Sequence, residues 1–411
     1  MILKQAASLG TMGRTVPQPR RGAFALEPVD ALPRLADRIA ALSERALEPN
    51  PFFLPEFLGP AIQALGGKGL KLATFSDRDD LRFFAPVVAS GGGLLSGPKL
   101  RVWTHPFAPL GSPLIERDVA GQVADSLLKY LRTSERTLLS IPDLPLKGPV
   151  ARALRAAAER RGFWTEAARY QRPILNAEDE DGPAAFERMV SQRRRRELWR
   201  QLRRLCDTGS VSLMSARTTL EIDTAFNMFV ALEASGWKGR RGTALQGQRA
   251  VRDFAHAAVM QMAQKGQAAI DVLRVGKIPV AALIRFEQAG LSVPWKIAYD
   301  ETFAAFSPGK QLMCDETRRW LQDPWISRVD PVCEEGNRLI SSLWPDQEPY
   351  GTLLLSTRRW GIVTRIRAGL MNMGSFGRNR AKALIGGQPR RAKPASVTRK
   401  AAPRDRSGRK A

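Results

Sequence analysis

Residues 291–312, LSVPWKIAYDETFAAFSPGKQL, hold the most specific chemical pattern in the chain. The first nine are typical of a β-strand, but Pro294 has no N–H to donate, so the strand must bulge or lose pairing there. Ser307-Pro308-Gly309 then begins a helix, because proline suits the first helical turn. The N–H groups from Gly309 to Leu312 are expected to lack helical acceptors and to lie at the positive end of the helix dipole. This stretch therefore predicts a site for an anion.

A bulged strand that leads into such a helix start suits a cofactor with a pyrophosphate and a long amide arm. The arm can pair with backbone groups freed at the bulge while the phosphates lie at the helix start. Gly309 permits close approach of the backbone, and Lys310 adds positive charge. A Pro-Gly helix start alone more often marks only the beginning of a helix, so the prediction depends on its neighbours.

Residues 229–245, FVALEASGWKGRRGTAL, form a second candidate region, in which a predicted helix ends in a glycine-rich stretch. One interpretation is a substrate-facing loop, with Trp237 as a stacking wall and Glu233 one helical turn before it. The other is a helix C-cap with solvated charges, which Gly236 suits. The basic side chains that the first interpretation assigns to an anionic or hydroxyl-rich acceptor are Lys238, Arg240 and Arg241.

Together with residues 295–301 and 307–312, this stretch resembles the CelD/FemAB-like acetyltransferase family of the GNAT superfamily. Residues 50–56, NPFFLPE, are similar to that family's N-terminal signature. The resemblance covers about residues 30–357. It implies two GNAT-like halves, with acyl-CoA bound by the second, although the superfamily's glycine-rich signature is reduced here to one glycine. The cofactor-binding residues that it implies are Ser307, Pro308, Gly309, Lys310, Gln311 and Leu312.

The implied reaction is acyl transfer to an amine or hydroxyl. The attacking group must lose a proton and the oxyanion must be stabilised, but no covalent enzyme nucleophile is required. Candidate bases are Glu233 and Asp300, with Glu301 beside them, and Tyr299 is a candidate acid. Each of these side chains is also compatible with a structural or solvated role. The residues assigned to substrate binding are Trp237, Lys238, Arg240 and Trp295.

The predicted elements form an α/β (α+β) fold. Predicted helices cover residues 31–47, 55–65, 119–131, 150–161, 191–207, 220–235, 248–265, 309–321 and 336–343. Predicted strands cover residues 70–75, 81–88, 100–103, 137–141, 165–175, 268–275, 278–286, 291–299, 327–333 and 352–356. Both halves share an order of helices, strands, a loop with Gly and Pro, a helix and a strand, which indicates a weak duplication. With the resemblance, this predicts two tandem GNAT-like domains, each a mixed twisted sheet flanked by helices. The predicted segments are a disordered N-terminus (1–29), a degenerate N-terminal GNAT-like domain (30–178), a C-terminal GNAT acyltransferase domain (184–357) closed by a strand at 352–356, an amphipathic extension (358–377) and a disordered basic tail (378–411).

Charge and composition restrict the other functions. The 64 Lys and Arg against 40 Asp and Glu give a net charge of +24, and residues 378–411 supply 12 − 1 = +11 of it. This tail is expected to bind polyanions weakly. Three cysteines and two histidines without ligand spacing predict no metal site, and reduced thiols favour a cytoplasmic location. The chain contains no run of 18 apolar residues, so no transmembrane helix is expected.

Two other regions have alternative interpretations. The basic helix predicted at 191–207 is either a solvated face packed through Leu198, Trp199, Leu202 and Leu205, or a platform for RNA, DNA or CoA phosphate. His256 is expected to be a packed helix residue, and Cys314 to be core.

The sequence thus predicts an acyl-CoA-dependent transferase whose acceptor is a small metabolite, a polysaccharide or an envelope precursor. One alternative is aminoacyl-tRNA-dependent peptidyl transfer, as the FemAB-like resemblance allows. The other is a non-catalytic scaffold that binds polyanions or a membrane through residues 360–376 and the tail. The sequence predicts no oligomeric state.

Overall fold

The computed structural model describes residues 22–91, 98–134, 136–178, 182–236, 240, 242 and 245–385, with the backbone alone for 182–183 and 374–385. Helices flank two mixed β-sheets, which confirms the predicted α/β class. The strands are β1 (Ala23–Glu27), β2 (Leu70–Asp77), β3 (Asp80–Ser90), β4 (Lys99–Val102), β5 (Leu114–Ile115), β6 (Leu138–Pro145), β7 (Phe163–Pro173), β8 (Leu175–Asn176), β9 (Val211–Ala216), β10 (Ala268–Val275), β11 (Ile278–Gln288), β12 (Leu291–Tyr299), β13 (Arg328–Val329) and β14 (Gln347–Ser356).

The α-helices begin and end close to the predicted positions, because apolar spacing and Pro or Gly boundaries define most of them. The exceptions are α5, which begins inside the predicted domain boundary, and the last helix, which extends beyond residue 377. They are α1 (Leu32–Glu44), α2 (Pro55–Leu65), α3 (Ala120–Thr133), α4 (Pro149–Arg161), α5 (Gly182–Met189), α6 (Gln192–Cys206), α7 (Thr219–Ser235), α8 (Arg249–Gln264), α9 (Pro308–Trp320), α10 (Arg338–Ser341) and α11 (Gly361–Ile385).

The first sheet has the strand order β1-β2-β3-β4-β6-β14-β7, with β5 paired to β3. Its neighbouring strands are antiparallel except for β4 and β6. The second sheet has the order β8-β13-β12-β11-β10-β9, and only β12 and β13 in it are parallel. The chain therefore enters the second sheet at β8, just before the predicted domain boundary.

Two predictions about the chain ends are corrected by strand pairing. Residues 23–27, assigned to a disordered N-terminus, form β1 and pair with β2. The last strand, assigned to the second domain, lies in the first sheet, where β14 pairs with both β6 and β7. Its residues 349–356 are all buried. An apolar strand of this kind needs a partner on each side, and the sequence does not specify which sheet provides them.

The two sheets share one hydrophobic core, so the halves are packed together rather than joined by a linker alone. Phe57 of α2 is at its centre. Its ring lies 5.5 Å from that of Phe254, 5.6 Å from that of Phe286 and 5.9 Å from that of Trp295, all in edge-on geometry. Aromatic pairs at these separations are favourable beyond the area that they bury. The second half's strands β11 and β12 are therefore held against a helix of the first half.

A buried ion cluster fixes α9 against β10 and β11. Arg285 Nε donates to Asp271 Oδ2 at 2.7 Å and lies 3.7 Å from Glu316 Oε2. The side chains of Asp271, Arg285 and Glu316 are 0%, 3% and 1% exposed. Burial, and then the nearby Asp271 carboxylate, raise the pKa of Glu316 to about 7. Arg285 thus contacts two buried carboxylates, and the half-exposed Arg319 pairs with Glu316 at 3.2 Å. Glu316 nevertheless stays protonated to a higher pH than a free glutamate does.

We expect Glu316→Gln to remove a pH-dependent loss of stability. The pKa of Glu316 in the folded state lies above its reference value of 4.5. Its contribution is therefore fully present below pH 4.5 and is lost as the pH rises through about 7. Between pH 5 and pH 8 the wild type should lose about 1–3 kcal/mol more unfolding free energy than the variant. Urea denaturation of both proteins at the two pH values measures this difference, and parallel pH profiles would contradict it.

Candidate functional site

Strand β12 carries the bulge that Pro294 predicts. Ile284 of β11 pairs with Lys296, whereas the next residue, Arg285, pairs with Pro294. Trp295 is therefore the extra residue of the bulge. Its indole lies in the shared core, where Nε1 donates to the Phe107 carbonyl at 2.7 Å. The structure thus places Trp295, predicted to bind substrate, mainly in a packing role.

Beyond the bulge, β12 separates from the strand beside it. The ladder between β12 and β13 covers only Leu291 with Arg328 and Ser292 with Val329. Past that point the chain from Pro331 to Ile340 moves away from β12, and a cavity of about 470 Å³ lies between them. It is lined by Leu283, Pro294, Trp295, Lys296, Ile297, Met313, Pro331, Val332, Cys333, Glu334, Glu335, Gly336, Asn337, Leu339 and Ile340. We call this space the donor cavity.

The start of α9 lies beside the donor cavity. Ser307 has a left-handed φ of 54°, and it precedes the buried Pro308 and Gly309. The Ser307 carbonyl accepts from the N–H groups of Lys310 and Gln311 at 2.9 and 3.1 Å. The expectation that every amide from Gly309 to Leu312 lacks a helical acceptor is therefore wrong. Among the described residues, no backbone carbonyl of a turn, loop or helix cap accepts a hydrogen bond from the Gly309 N–H.

Gly309 is closely surrounded. A Cβ at this position would lie 3.4 Å from Tyr299 Cδ1, 3.7 Å from Ile297 Cδ1 and 3.8 Å from Leu339 Cδ1. Ile297 and Leu339 also line the donor cavity. The backbone of α9 thus approaches the cavity wall at the one position where a side chain is missing.

The basic helix α6 packs against this same turn. Gln311 Nε2 donates to the Leu198 carbonyl at 3.0 Å, and the Arg204 guanidinium lies 5.5 Å from the centre of the Phe306 ring. Arg193, Arg196, Arg200, Arg203 and Arg204 of α6 are exposed. Trp199, one of the packing residues in the first interpretation of this helix, is not packed, because its side chain is 60% exposed. A strongly basic helix therefore packs against the turn that begins α9, and its charge favours an anion on this side of the molecule.

The predicted catalytic residues lie around a smaller crevice on the neighbouring side of Ile297. Glu233, Tyr299 and Glu301 line it, and its volume is about 30 Å³. Glu233 is 2% exposed, and its Oε2 accepts from the Leu245 N–H at 2.7 Å. Asp300 begins a 3₁₀ turn, where its Oδ1 accepts from the N–H of Thr302 at 2.8 Å. Both carboxylates therefore have structural bonds, and their assignment to catalysis stays a prediction.

Tyr299 is half-buried at the wall of this crevice. Burial, and then the nearby Glu301 carboxylate, raise the pKa of its hydroxyl. It is therefore a phenol at neutral pH, the form that an acid requires.

Of the predicted acceptor-binding residues on the glycine-rich stretch, Trp237, Lys238 and Arg241 lie outside the described residues. Arg240 is described, and its Nη2 lies 2.6 Å from Glu301 Oε2. Its charge is thus already paired beside the crevice. His256 is not packed as expected, because its ring is 42% exposed and Nε2 lies 2.7 Å from Asp223 Oδ1. Cys314 is buried in the core as predicted.

A second cavity, of about 660 Å³, lies on the other side of residues 332–335. Val332, Cys333, Glu334 and Glu335 line both cavities, so the cavities adjoin along this segment, which we call the shared wall. The lining on the far side comes from the first half and β14: Pro106, Pro109, Asp143, Ala168, Arg169, Tyr170, Arg172, Gly351 and Thr352. The second cavity therefore forms where the first half, strand β14 and residues 332–335 meet.

The charge in the second cavity comes from three carboxylates and two arginines. Arg172 pairs with the buried Asp330, and Arg169 pairs with Glu166. The carboxylates of the lining are Asp143, Glu334 and Glu335. The lining therefore contains one more carboxylate than guanidinium groups.

Sequence reasoning missed this shared wall. Residues 327–333 were predicted as one strand, but β13 ends at Val329, and Val332 has a left-handed φ of 43°. The signal present was the polar run Cys333-Glu334-Glu335-Gly336-Asn337 after a short apolar stretch. Burial raises the pKa of the Cys333 thiol to about 12. This cysteine is thus a thiol, not a thiolate, at neutral pH.

Residues 192–337 match the family described as "Acetyltransferase (GNAT) domain". The match includes α6, the bulged strand, the start of α9 and the shared wall. No curated protein matches the chain.

Solved structures show the same fold at low identity. FemX is 8% identical, with a TM-score of 0.54, over 80% of this chain and 98% of FemX. The C-terminal domain of a putative lysylphosphatidylglycerol synthetase from Agrobacterium fabrum is 9% identical, with a TM-score of 0.51, over 82% and 96% of the two chains. A conserved protein of unknown function from Bacteroides thetaiotaomicron is 12% identical, with a TM-score of 0.51, over 79% and 97%. At these identities the similarity shows the fold alone.

Two kinds of feature are absent from the described residues. No helix among them combines the length and apolar character needed to cross a bilayer. No group of three or more His, Cys, Asp or Glu side chains among them is placed to hold a metal ion.

Proposed function

This chain carries a GNAT acetyltransferase domain and is a transferase, and from that premise we propose that it passes an acyl group from acyl-CoA to an amine. The observation that carries the proposal is the donor cavity between the bulged β12 and residues 331–340, with the start of α9 beside it. A long thioester arm fits along a strand that has lost its neighbour. The phosphates would then lie near Gly309, within reach of the positive face of α6.

The second cavity supports an amine as the acceptor class. An ammonium is attracted by carboxylates such as Asp143, and a neutral hydroxyl gains less from them. The second cavity adjoins the donor cavity along residues 332–335, so an acceptor there would lie close to the thioester. The acceptor would be a small molecule or the amino group of a larger glycan or envelope precursor.

The transfer needs no covalent enzyme intermediate. The ammonium first gives a proton to water, and the lone pair of the resulting neutral amine attacks the thioester carbonyl carbon. The tetrahedral adduct loses a second N–H proton to water, the oxyanion collapses, the C–S bond breaks, and the CoA thiolate takes up a proton to give the amide and free CoA. No step of the transfer is assigned to Tyr299, because its ring lies beside Gly309, at the phosphate end of the proposed donor site. Cys333 is a protonated thiol and does not suit a nucleophile.

A second candidate donor is an aminoacyl-tRNA. The observation that favours it is α6, whose exposed arginines lie beside the proposed phosphate position. Polynucleotide binding through such a face would depend steeply on salt. The two donors differ in size, so binding distinguishes them directly.

Isothermal titration of the full chain tests the proposal. We expect acetyl-CoA or a longer acyl-CoA to bind with a Kd that depends weakly on salt, and to acylate a panel of amines. Aminoacyl-tRNA is the comparison ligand. No CoA binding by the folded protein, together with transfer from aminoacyl-tRNA, would replace acyl-CoA as the donor. Binding of neither ligand would refute both.

We expect Asp143→Asn to lower kcat/KM for the amine about tenfold, and to leave the Kd for CoA within threefold. Asn keeps an oxygen that accepts from the Tyr170 hydroxyl, now 3.1 Å from Oδ1, and it tolerates the left-handed φ of 51°. Only the negative charge is lost. Asp79→Asn, an exposed change away from both cavities, is the control. Unchanged amine kinetics in Asp143→Asn would remove the second cavity as the acceptor site.

A further inference from the structure

The last described helix, α11, presents an apolar face to solvent. Nine large apolar side chains in the described part of the chain are exposed, and five of them lie on this helix. They are Ile362 (80% exposed), Val363 (37%), Ile366 (61%), Leu370 (63%) and Met373 (73%). At about 100° per residue they occupy an arc of about 100° on one side of the helix. We call these five residues the apolar stripe.

The opposite face of α11 holds the helix in place. Ala368 packs with Leu138, Ala167 and Leu354 of the first sheet. Asn372 Oδ1 accepts from the Ala168 N–H at 2.8 Å. The apolar stripe therefore faces outward because the inner face is already packed on β7 and β14.

Positive charge borders the apolar stripe. Residues 358–373 contain four arginines and no Asp or Glu. On the helix, Arg365 and Arg367 fall on opposite sides of the stripe, and Arg358 and Arg359 precede it. Burial, and then the charge of Arg367, lower the pKa of Lys99, so a further cation lies near Arg367. Residues 378–411 continue the positive charge with 12 Lys and Arg against one acid.

We propose that α11 docks this enzyme on an anionic lipid bilayer, with the apolar stripe inserted at the interface and its arginines on the headgroups. A helix with an apolar face flanked by cations typically lies in the interface of an anionic membrane, parallel to its plane. A second copy of the chain fits less well, because two such helices would bring like charges together. A polynucleotide would use the arginines but would leave the stripe exposed to water. The proposal is independent of the acyl donor.

Vesicle flotation of the full chain tests the proposal with two lipid compositions. We expect the wild type to float with phosphatidylglycerol vesicles and to stay largely unbound with phosphatidylcholine vesicles. The double variant Ile366→Asp, Leu370→Asp should bind phosphatidylglycerol vesicles with an affinity at least tenfold lower than that of the wild type. Both side chains are mainly exposed, so its thermal unfolding should match the wild type.

The control is Leu220→Asp, which changes a leucine that is even more exposed (79%), at the start of α7. It should bind vesicles as the wild type does. Deletion of residues 386–411 should reduce only the salt-sensitive part of binding.

Three results would overturn the proposal: wild-type protein that does not float, a double variant that floats equally well, or a Leu220→Asp variant that loses binding to the same extent. A dimer in sedimentation that the double variant abolishes, without vesicle binding, would assign the stripe to a second copy. RNA binding insensitive to the double variant, again without vesicle binding, would assign the charges to a polynucleotide.

Discussion

Replacing Gly309 by valine is expected to weaken acyl-CoA binding at least tenfold, which corresponds to about 1.4 kcal/mol. A Cβ added at this position would itself contact Tyr299, Ile297 and Leu339 at 3.4–3.8 Å. The two further methyl groups of valine must displace these neighbours or occupy the space beside the donor cavity. They would also block access to the Gly309 N–H, a donor that the proposed phosphate needs. Isothermal titration of CoA into both proteins measures the change.

Two variants control for the size of the side chain and for charge. Gly309→Ala adds only the Cβ, which fits at ordinary contact distances, so its CoA affinity should fall less than that of Gly309→Val. Lys310→Ala should cost on the order of 1 kcal/mol or less, because the ammonium is partly exposed and screened. Equal CoA affinity in the wild type and a folded Gly309→Val would move the phosphate site away from α9.

Asp330→Ala is expected to lower the unfolding free energy by about 3–5 kcal/mol. Asp330 Oδ2 lies 3.1 Å from Arg172 Nη1 and accepts from the Tyr350 hydroxyl at 2.7 Å. The side chains of Arg172 and Asp330 are 1% and 2% exposed. Removal of the carboxylate leaves a guanidinium buried without its counter-ion, which costs more than the pair contributes. Urea denaturation followed by fluorescence measures the loss.

Tyr350→Phe is the matched control for this network. It removes the hydrogen bond to the charged Asp330 and a longer one, of 3.3 Å, that the Tyr350 hydroxyl accepts from Arg328 Nη2. Its cost should be about 1.5–3 kcal/mol, below that of Asp330→Ala, because no buried charge loses its counter-ion. Asp330 Oδ1 also accepts from the Val332 N–H at 2.8 Å, and Val332 belongs to the shared wall. We therefore expect Asp330→Ala to raise KM for both substrates as well. A loss below 1 kcal/mol with unchanged KM would show that the junction does not depend on this ion pair.

The sequence by itself determined the local elements and the bulge. Leu291–Tyr299 and Ala268–Val275 match their predicted bounds because an apolar run between polar or glycine-rich turns fixes a strand locally. Pro294 predicted the bulge because its missing N–H breaks any ladder that it joins. The Ser307-Pro308-Gly309 helix start was found for a similarly local reason. The recognition of a GNAT domain depended on these same segments and is confirmed.

Only the tertiary structure decided what these elements face. Strand β14 joined the first sheet, since pairing partners are chosen by long-range packing that an apolar run does not encode. That choice built the second cavity and brought Asp143 close to residues 332–335. The predicted carboxylates Glu233 and Asp300 turned out to hold the Leu245 and Thr302 amides, because which N–H groups need an acceptor depends on how the loops fold. A sequence specifies bond donors and apolar periods residue by residue, whereas a cavity exists only where separate segments meet.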